Sequence, residues 1–337
     1  MNKLFHMLAW LAASPAAAAP VALAYYTGPE SNPSLKAEAG VLGVVAADRF
    51  SVAADGSMSG HLPAIVFKVA AQHNIAVLAT VSNYAGNGFN AAIARAILTP
   101  GAAQNAALSN IGKLAAQGYA GINLDFEAVP HKLRPQYTAF AQLLAATLHS
   151  TGRAAVLSVP AKSADDPNDS WAGAYDYAAL GQIVDTLQVM TYDENGPWGP
   201  PGPVAGLDWV TACIGYAESV VPAAKISMGM PAYGYDWNLT KGGGTTVNWT
   251  DIPALITKTG AVPQWDTGSS SPWFSYTAGN GASHVVWYEN AESISLKSAF
   301  AEQATAASVS VWALGLDDPS YWQAVLNGFG ETRALPN

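Results

Sequence analysis

The 337-residue chain has a single cysteine, Cys213, and so no internal disulfide can staple it. Charge is also scarce: 12% of residues are charged and 50% are hydrophobic, which excludes a disordered tail and allows a large core. Fifteen Lys and Arg face 24 Asp and Glu, a formal charge of −9, and no stretch gathers the basic residues, so nucleic acid is not an expected partner. The six histidines lack the paired spacings of a zinc site; neither a metal nor a cofactor is expected. The serine-hydrolase elbow Gly-x-Ser-x-Gly is missing. Lys241-Gly-Gly-Gly-Thr245 has the wrong order for a phosphate loop, and Gly86-Asn-Gly-Phe-Asn-Ala91 has no acid at the spacing that holds a ribose.

What is present begins with a short leader pattern. Lys3 precedes an apolar run over residues 4–13 and an alanine tract over 16–19, the layout of a secretory signal. Ala16 and Ala18 fit cleavage after residue 18, which gives a signal over 1–18, a mature chain over 19–337 and a secreted or periplasmic location. The alternative is a retained anchor, but the run is short and Pro15 and Pro20 interrupt it, and no later segment offers a span. No stable membrane partner is expected.

Beyond the leader, short β-branched or apolar runs alternate with stretches of helical spacing, the rhythm of parallel βα units. Eight strands are expected, over 22–27, 41–46, 75–81, 121–126, 154–159, 186–192, 226–230 and 309–314. Helical patterns lie over 62–73, 102–117, 134–149 and 291–307; in the third, Phe140, Leu143, Leu144 and Leu148 are expected to share the buried face. Eight such units predict an α/β fold, a closed (β/α)8 TIM barrel. The rhythm breaks over 238–284, where glycine, serine, threonine, proline and aromatics replace the periodic signal, and a small α+β insertion after strand seven is expected there.

No Asp or Glu occurs between Asp55 and Asp125; then Asp125 and Glu127 arrive together on an apolar strand. Along Gly121-Ile-Asn-Leu-Asp-Phe-Glu127, alternation puts Asn123, Asp125 and Glu127 on one face. Burying them costs several kcal/mol unless they are paired or solvated, and the same cost raises a carboxyl pKa toward that of a general acid. Glu127 lies at the carboxyl end of its strand, where barrel enzymes keep their chemistry. Strand six ends Leu187-Gln-Val-Met-Thr-Tyr-Asp193, with Met190 and Tyr192 on one face, and strand eight carries Trp312, a flat surface suited to a sugar ring.

These motifs resemble those of family 18 glycoside hydrolases, the chitinase family, strand by strand over the mature chain. Where that family shows Asp-Gly-x-Asp-x-Asp-x-Glu, this chain has Ala120, Gly121, Asn123, Asp125 and Glu127; its Met-x-Tyr-Asp pattern matches Met190, Tyr192 and Asp193, and its tyrosine and tryptophan on strands one and eight match Tyr25 and Trp312. Asn123 in place of aspartate is similar to a branch that includes peptidoglycan-cleaving N-acetylglucosaminidases of spore-forming bacteria.

The resemblance implies a monomeric enzyme acting on an oligosaccharide or polysaccharide rich in N-acetylglucosamine, chitin oligomers or peptidoglycan, by a retaining, substrate-assisted route. Glu127 would protonate the glycosidic oxygen, Asp125 would hold the substrate's acetamido N–H and Tyr192 its oxygen, with Tyr25, Asn123, Met190, Asp193 and Trp312 around the sugar. A non-catalytic glycan-binding barrel is the alternative. Because Asn123 removes a rival charge, Asp125 is expected to ionise more readily than it would beside an aspartate at 123, and its charge to help keep Glu127 protonated.

Overall fold

A computed structural model describes residues 21–330. The leader expected over 1–18 lies outside the described residues. Eight parallel strands form the centre: β1 Val21–Tyr26, β2 Val44–Val52, β3 Ala76–Ser82, β4 Gly121–Asp125, β5 Ala154–Pro160, β6 Thr186–Met190, β7 Ile226–Pro231 and β8 Ser308–Trp312. Each pairs with its neighbours in sequence, and β8 pairs with β1, which closes the sheet into a barrel. Helices link the strands, the longest being Arg134–His149 between β4 and β5. This is the expected (β/α)8 architecture.

Alternation along the strands sorts two cores. Leu23, Tyr25, Val44, Ala46, Leu78 and Val156 meet inside the barrel, while residues between them, such as Ala24, Val45 and Leu157, join the larger cluster beneath the helices. Gly121 lets β4 approach β5, since a Cβ there would sit 2.4 Å from the Ala154 carbonyl oxygen. On Arg134–His149 the buried stripe is Tyr137, Phe140, Ala141, Leu144, Ala145 and Leu148. Leu143 is exposed, contrary to expectation: Tyr137 and two alanines complete the stripe, and its 3.6-residue period leaves position 143 facing solvent.

The second strand departs most from the sequence reading. Expected over 41–46, it runs over Val44–Val52, past Asp48 and Arg49, and pairs antiparallel with a short strand Met58–Gly60. The insertion is a five-stranded sheet in the spatial order Gly244–Asn248, Tyr233–Asn238, Ser283–Trp287, Ser271–Thr277 and Gln264–Asp266, with a helix Ile252–Thr259. Its first strand starts at Tyr233, directly after β7, so the subdomain is wider than the 238–284 stretch of broken periodicity. Among the described residues no helix is long and apolar enough to cross a membrane.

Candidate active site

The carboxyl ends of the strands bring the chemistry-bearing residues to one end of the barrel. Inside it, the Asn123 amide nitrogen donates to the Tyr25 hydroxyl oxygen at 2.8 Å, and the Ser158 hydroxyl donates to Asn123 Oδ1 at 3.2 Å. The Tyr25 hydroxyl is then left to donate to Ser158 Oγ, also at 3.2 Å, which completes a closed circuit of three neutral groups. Tyr25 is only 2% exposed, so it anchors Asn123 and is not itself an open wall of the site.

Asp125 and Glu127 follow on the same face. Asp125 is buried, and its Oδ1 has no hydrogen-bond partner, an arrangement that costs free energy in the resting protein. Glu127 is half-buried just past the strand, and its backbone is clamped: its N–H donates to Asn83 Oδ1 at 2.9 Å while the Asn83 amide donates to its carbonyl at 2.8 Å. The Tyr175 hydroxyl holds the preceding carbonyl, that of Phe126, at 2.7 Å. Ala128 next to it turns through the left-handed region, φ 51°, a conformation non-glycine residues keep only where surroundings impose it.

Electrostatics follow from this packing. Burial, joined by the carboxylates of Asp193 and Asp48, pushes the Glu127 carboxyl up to about 8. Burial also raises Asp125 well above the usual carboxylate range, with Glu127 and then Asp48 adding to it. Replacing an aspartate with Asn123 removes one charge, yet desolvation dominates and two other carboxylates remain near, so Asp125 still resists ionisation. Glu127 is thus a protonated acid at neutral pH beside a carboxyl with an empty acceptor.

The other expected residues take distinct places. Met190 ends β6, partly buried. Tyr192 lies just beyond, its hydroxyl pKa raised by burial and then by Tyr25, Asp125 and Glu127. Its ring fits because of Gly229 on β7, where a Cβ would come within 2.8 Å of the ring. Asp193, at φ 60°, turns away to the insertion sheet and accepts from Tyr233 at 2.6 Å and Tyr235 at 2.7 Å. Trp312 lies against Tyr25, ring centroids 5.2 Å apart, and packs on both the barrel interior and the insertion. The rim loop 196–202 carries Trp198, 71% exposed, and is fastened by Trp237, whose indole N–H donates to the carbonyls of Gly196 and Gly199.

The sequence reading did not single out Asp48, Asn83, Ser158, Tyr175, Gly229, Tyr233 or Tyr235. The alternation Tyr233, Tyr235, Trp237 was a legible strand signal; the others needed the third dimension. Among the described residues no group of three or more His, Cys, Asp or Glu is placed to hold a metal ion.

The sequence model described as glycosyl hydrolases family 18 matches residues 31–317. The chain belongs to glycosyl hydrolase family 18. It is 37% identical over 318 residues to a protein of Bacillus subtilis named uncharacterized glycosylase YvbX, covering 93% of this chain and 92% of that one. Among solved structures, a chitinase of Chromobacterium violaceum superposes with a TM-score of 0.88 at 40% identity, over 93% of this chain and all of that one. A cortical fragment-lytic enzyme of Bacillus anthracis is 29% identical over 80% of this chain, which spans 63% of that protein. The chain is a glycoside hydrolase, and a carbohydrate is its substrate.

Proposed function

We propose that this family 18 enzyme is secreted or periplasmic and cleaves β-linked glycans containing N-acetylglucosamine, with retention, using the substrate's own acetamido group as nucleophile. One observation carries the reading: Glu127, held neutral to about 8, stands two residues from a buried Asp125 whose Oδ1 has no partner. A protonated carboxyl at the carboxyl end of β4 is what a general acid requires. An unpaired buried acceptor beside it fits an acetamido N–H, since binding would satisfy that oxygen.

Glu127 delivers its proton to the glycosidic oxygen as the bond to the anomeric carbon breaks. The acetamido carbonyl oxygen attacks that carbon from the opposite face and forms an oxazolinium ion. Asp125 accepts from its N–H and offsets the developing positive charge, which is why the pair must share a single proton before reaction. Tyr192, packed over Gly229, donates to the acetamido oxygen. Water, deprotonated by Glu127, then opens the ring and restores the acid, with net retention. Trp312 floors the sugar, Met190 lines the pocket, and Tyr25 and Asn123 support the strand beneath.

The test is the product profile on chitin oligomers, purified peptidoglycan and their deacetylated forms. Cleavage of an acetylated substrate with retained anomeric configuration by NMR is expected, and the two acetylated arms separate chitin from peptidoglycan. Efficient cleavage of a fully deacetylated oligomer, or an inverted product, refutes substrate assistance.

A further inference from the structure

The register between β2 and β3 slips once. Asp48 pairs with Thr80, but Phe50 pairs with Val81, so Arg49 is one extra residue on β2, a β-bulge. Up to the bulge the alternation holds: Val44 and Ala46 face the barrel interior, and Asp48 is the next residue of that row. The extra residue turns its charge elsewhere. The Arg49 guanidinium donates to the Thr27 carbonyl at 2.6 Å and meets His61 Nε2 at 3.1 Å, and no ion pair with Asp48 forms among the described residues. The bulge thus separates two neighbouring charges and leaves the carboxylate inside without its cation.

Across from it, Thr80 is fully buried and its hydroxyl has no partner; on the far side of Thr80, in the same register row, lies Asn123, and Asp125 with its own unpaired Oδ1 follows two residues on. Asn123 answers neither orphan; its amide is turned to Tyr25 and Ser158. β3 therefore presents an unused hydroxyl level with the Asp48 carboxylate of β2 and two residues short of Asp125 on β4.

We propose that Asp48 is a positioning residue of the acid site: a carboxylate supplied from β2 that fills the electrostatic place Asn123 leaves neutral on β4 and holds the shared proton on Asp125 and Glu127. The inference rests on Glu127 being the acid. Among the described residues the titratable groups that face the cluster are Tyr25 from β1, Arg49 at the bulge, Tyr192 and Asp193 beyond β6, Tyr137 from the helix behind β4 and Tyr175 from the segment after β5, while β3 contributes only neutral groups. Among the described residues Arg49 is the one cation beside the cluster, and it is directed to Thr27. Burial and Arg49 act oppositely on Asp48 itself, with burial the larger, leaving it at about 6, so above that pH it is charged and repels a second charge on either partner.

Asp48→Asn keeps the shape and removes the charge. In protein labelled with 13C at its side-chain carboxyls, the Glu127 resonance, assigned by its loss in Glu127→Gln, is expected to titrate about one pH unit lower in Asp48→Asn than in wild type. The basic limb of kcat/KM should fall by the same amount, with kcat on the acid side changed less than about threefold. Asp48→Ala, which lacks the amide, should give the same shift, because charge and not shape carries it. Glu127 titrations that superimpose, or that move upward, overturn the role of Asp48. A resonance that moves while the kinetic limb stays fixed overturns instead the assignment of Glu127 as the acid.

Discussion

Glu127→Gln separates what this site does for catalysis from what it costs the fold. The native carboxyl has its pKa raised from 4.5 to about 8, so the native state keeps a proton that the unfolded chain releases. Below about pH 4.5 both states are protonated and Glu127 is neutral toward stability; as pH rises toward 8 the wild type loses stability, and above 8 the loss is constant. At 1.36 kcal/mol per unit the full shift corresponds to about 5 kcal/mol, an upper bound. Partial exposure of the side chain and sharing of the proton with Asp125 reduce this to about 1–3 kcal/mol.

Glutamine carries no such penalty at any pH. Glu127→Gln should therefore melt about 1.5–4.5 °C above wild type at pH 9 and within about 1 °C of it at pH 4, while turnover falls at least about 100-fold at every pH. Thermal unfolding across this range, beside initial rates on an acetylated oligomer, measures both. A melting difference that is the same at pH 4 and pH 9 would refute the claim that Glu127 is held protonated against its desolvation. Activity within a few-fold of wild type would show that the acid lies elsewhere.

Two further substitutions probe the neighbours of the acid. Asn123→Asp removes the donor to Tyr25 and breaks the three-membered circuit, so it should lose about 1–3 kcal/mol at pH 7 and recover part of that as the new carboxyl is protonated; a stability deficit independent of pH speaks against a buried charge at 123. Gly229→Ala puts a methyl against the Tyr192 ring and the Val189 carbonyl, each 2.8 Å away, and should cost about 1–3 kcal/mol and lower kcat about tenfold; unchanged kcat would mean that the ring position is not critical.

The sequence exposed the barrel because each strand buries both faces and each helix keeps a periodic stripe, and it exposed Asp125 and Glu127 because charge is so rare around them. It hid Asp48 for the converse reason. Asp48-Arg49 interrupts the apolar run of β2 with a pair of opposite charges, which reads as a solvated turn, and only a bulge keeps the strand going through it. Asn83 was hidden because its work is done on the backbone of a residue 44 positions away, across a strand pairing that no local pattern encodes. Leu143 was misplaced for a simpler reason: leucine is as much a helix former as a core residue, and an exposed one costs little.

The insertion is more than a decoration on β7. Tyr233 and Tyr235 stand on its first strand and spend their hydroxyls on Asp193, while Trp237 on the same strand ties down the rim loop. Those two hydroxyls oppose the effect of burial on Asp193 and favour its charged form. After burial, that charge is the largest influence keeping the proton on Glu127. A substitution such as Tyr235→Phe, made in a sheet outside the barrel, thus acts on the acid through one carboxylate: with less support Asp193 is more readily neutral, and Glu127 gives up its proton at lower pH. The subdomain and the strand-four motif are therefore coupled electrostatically, and the left-handed turn at Asp193 is where the coupling is made.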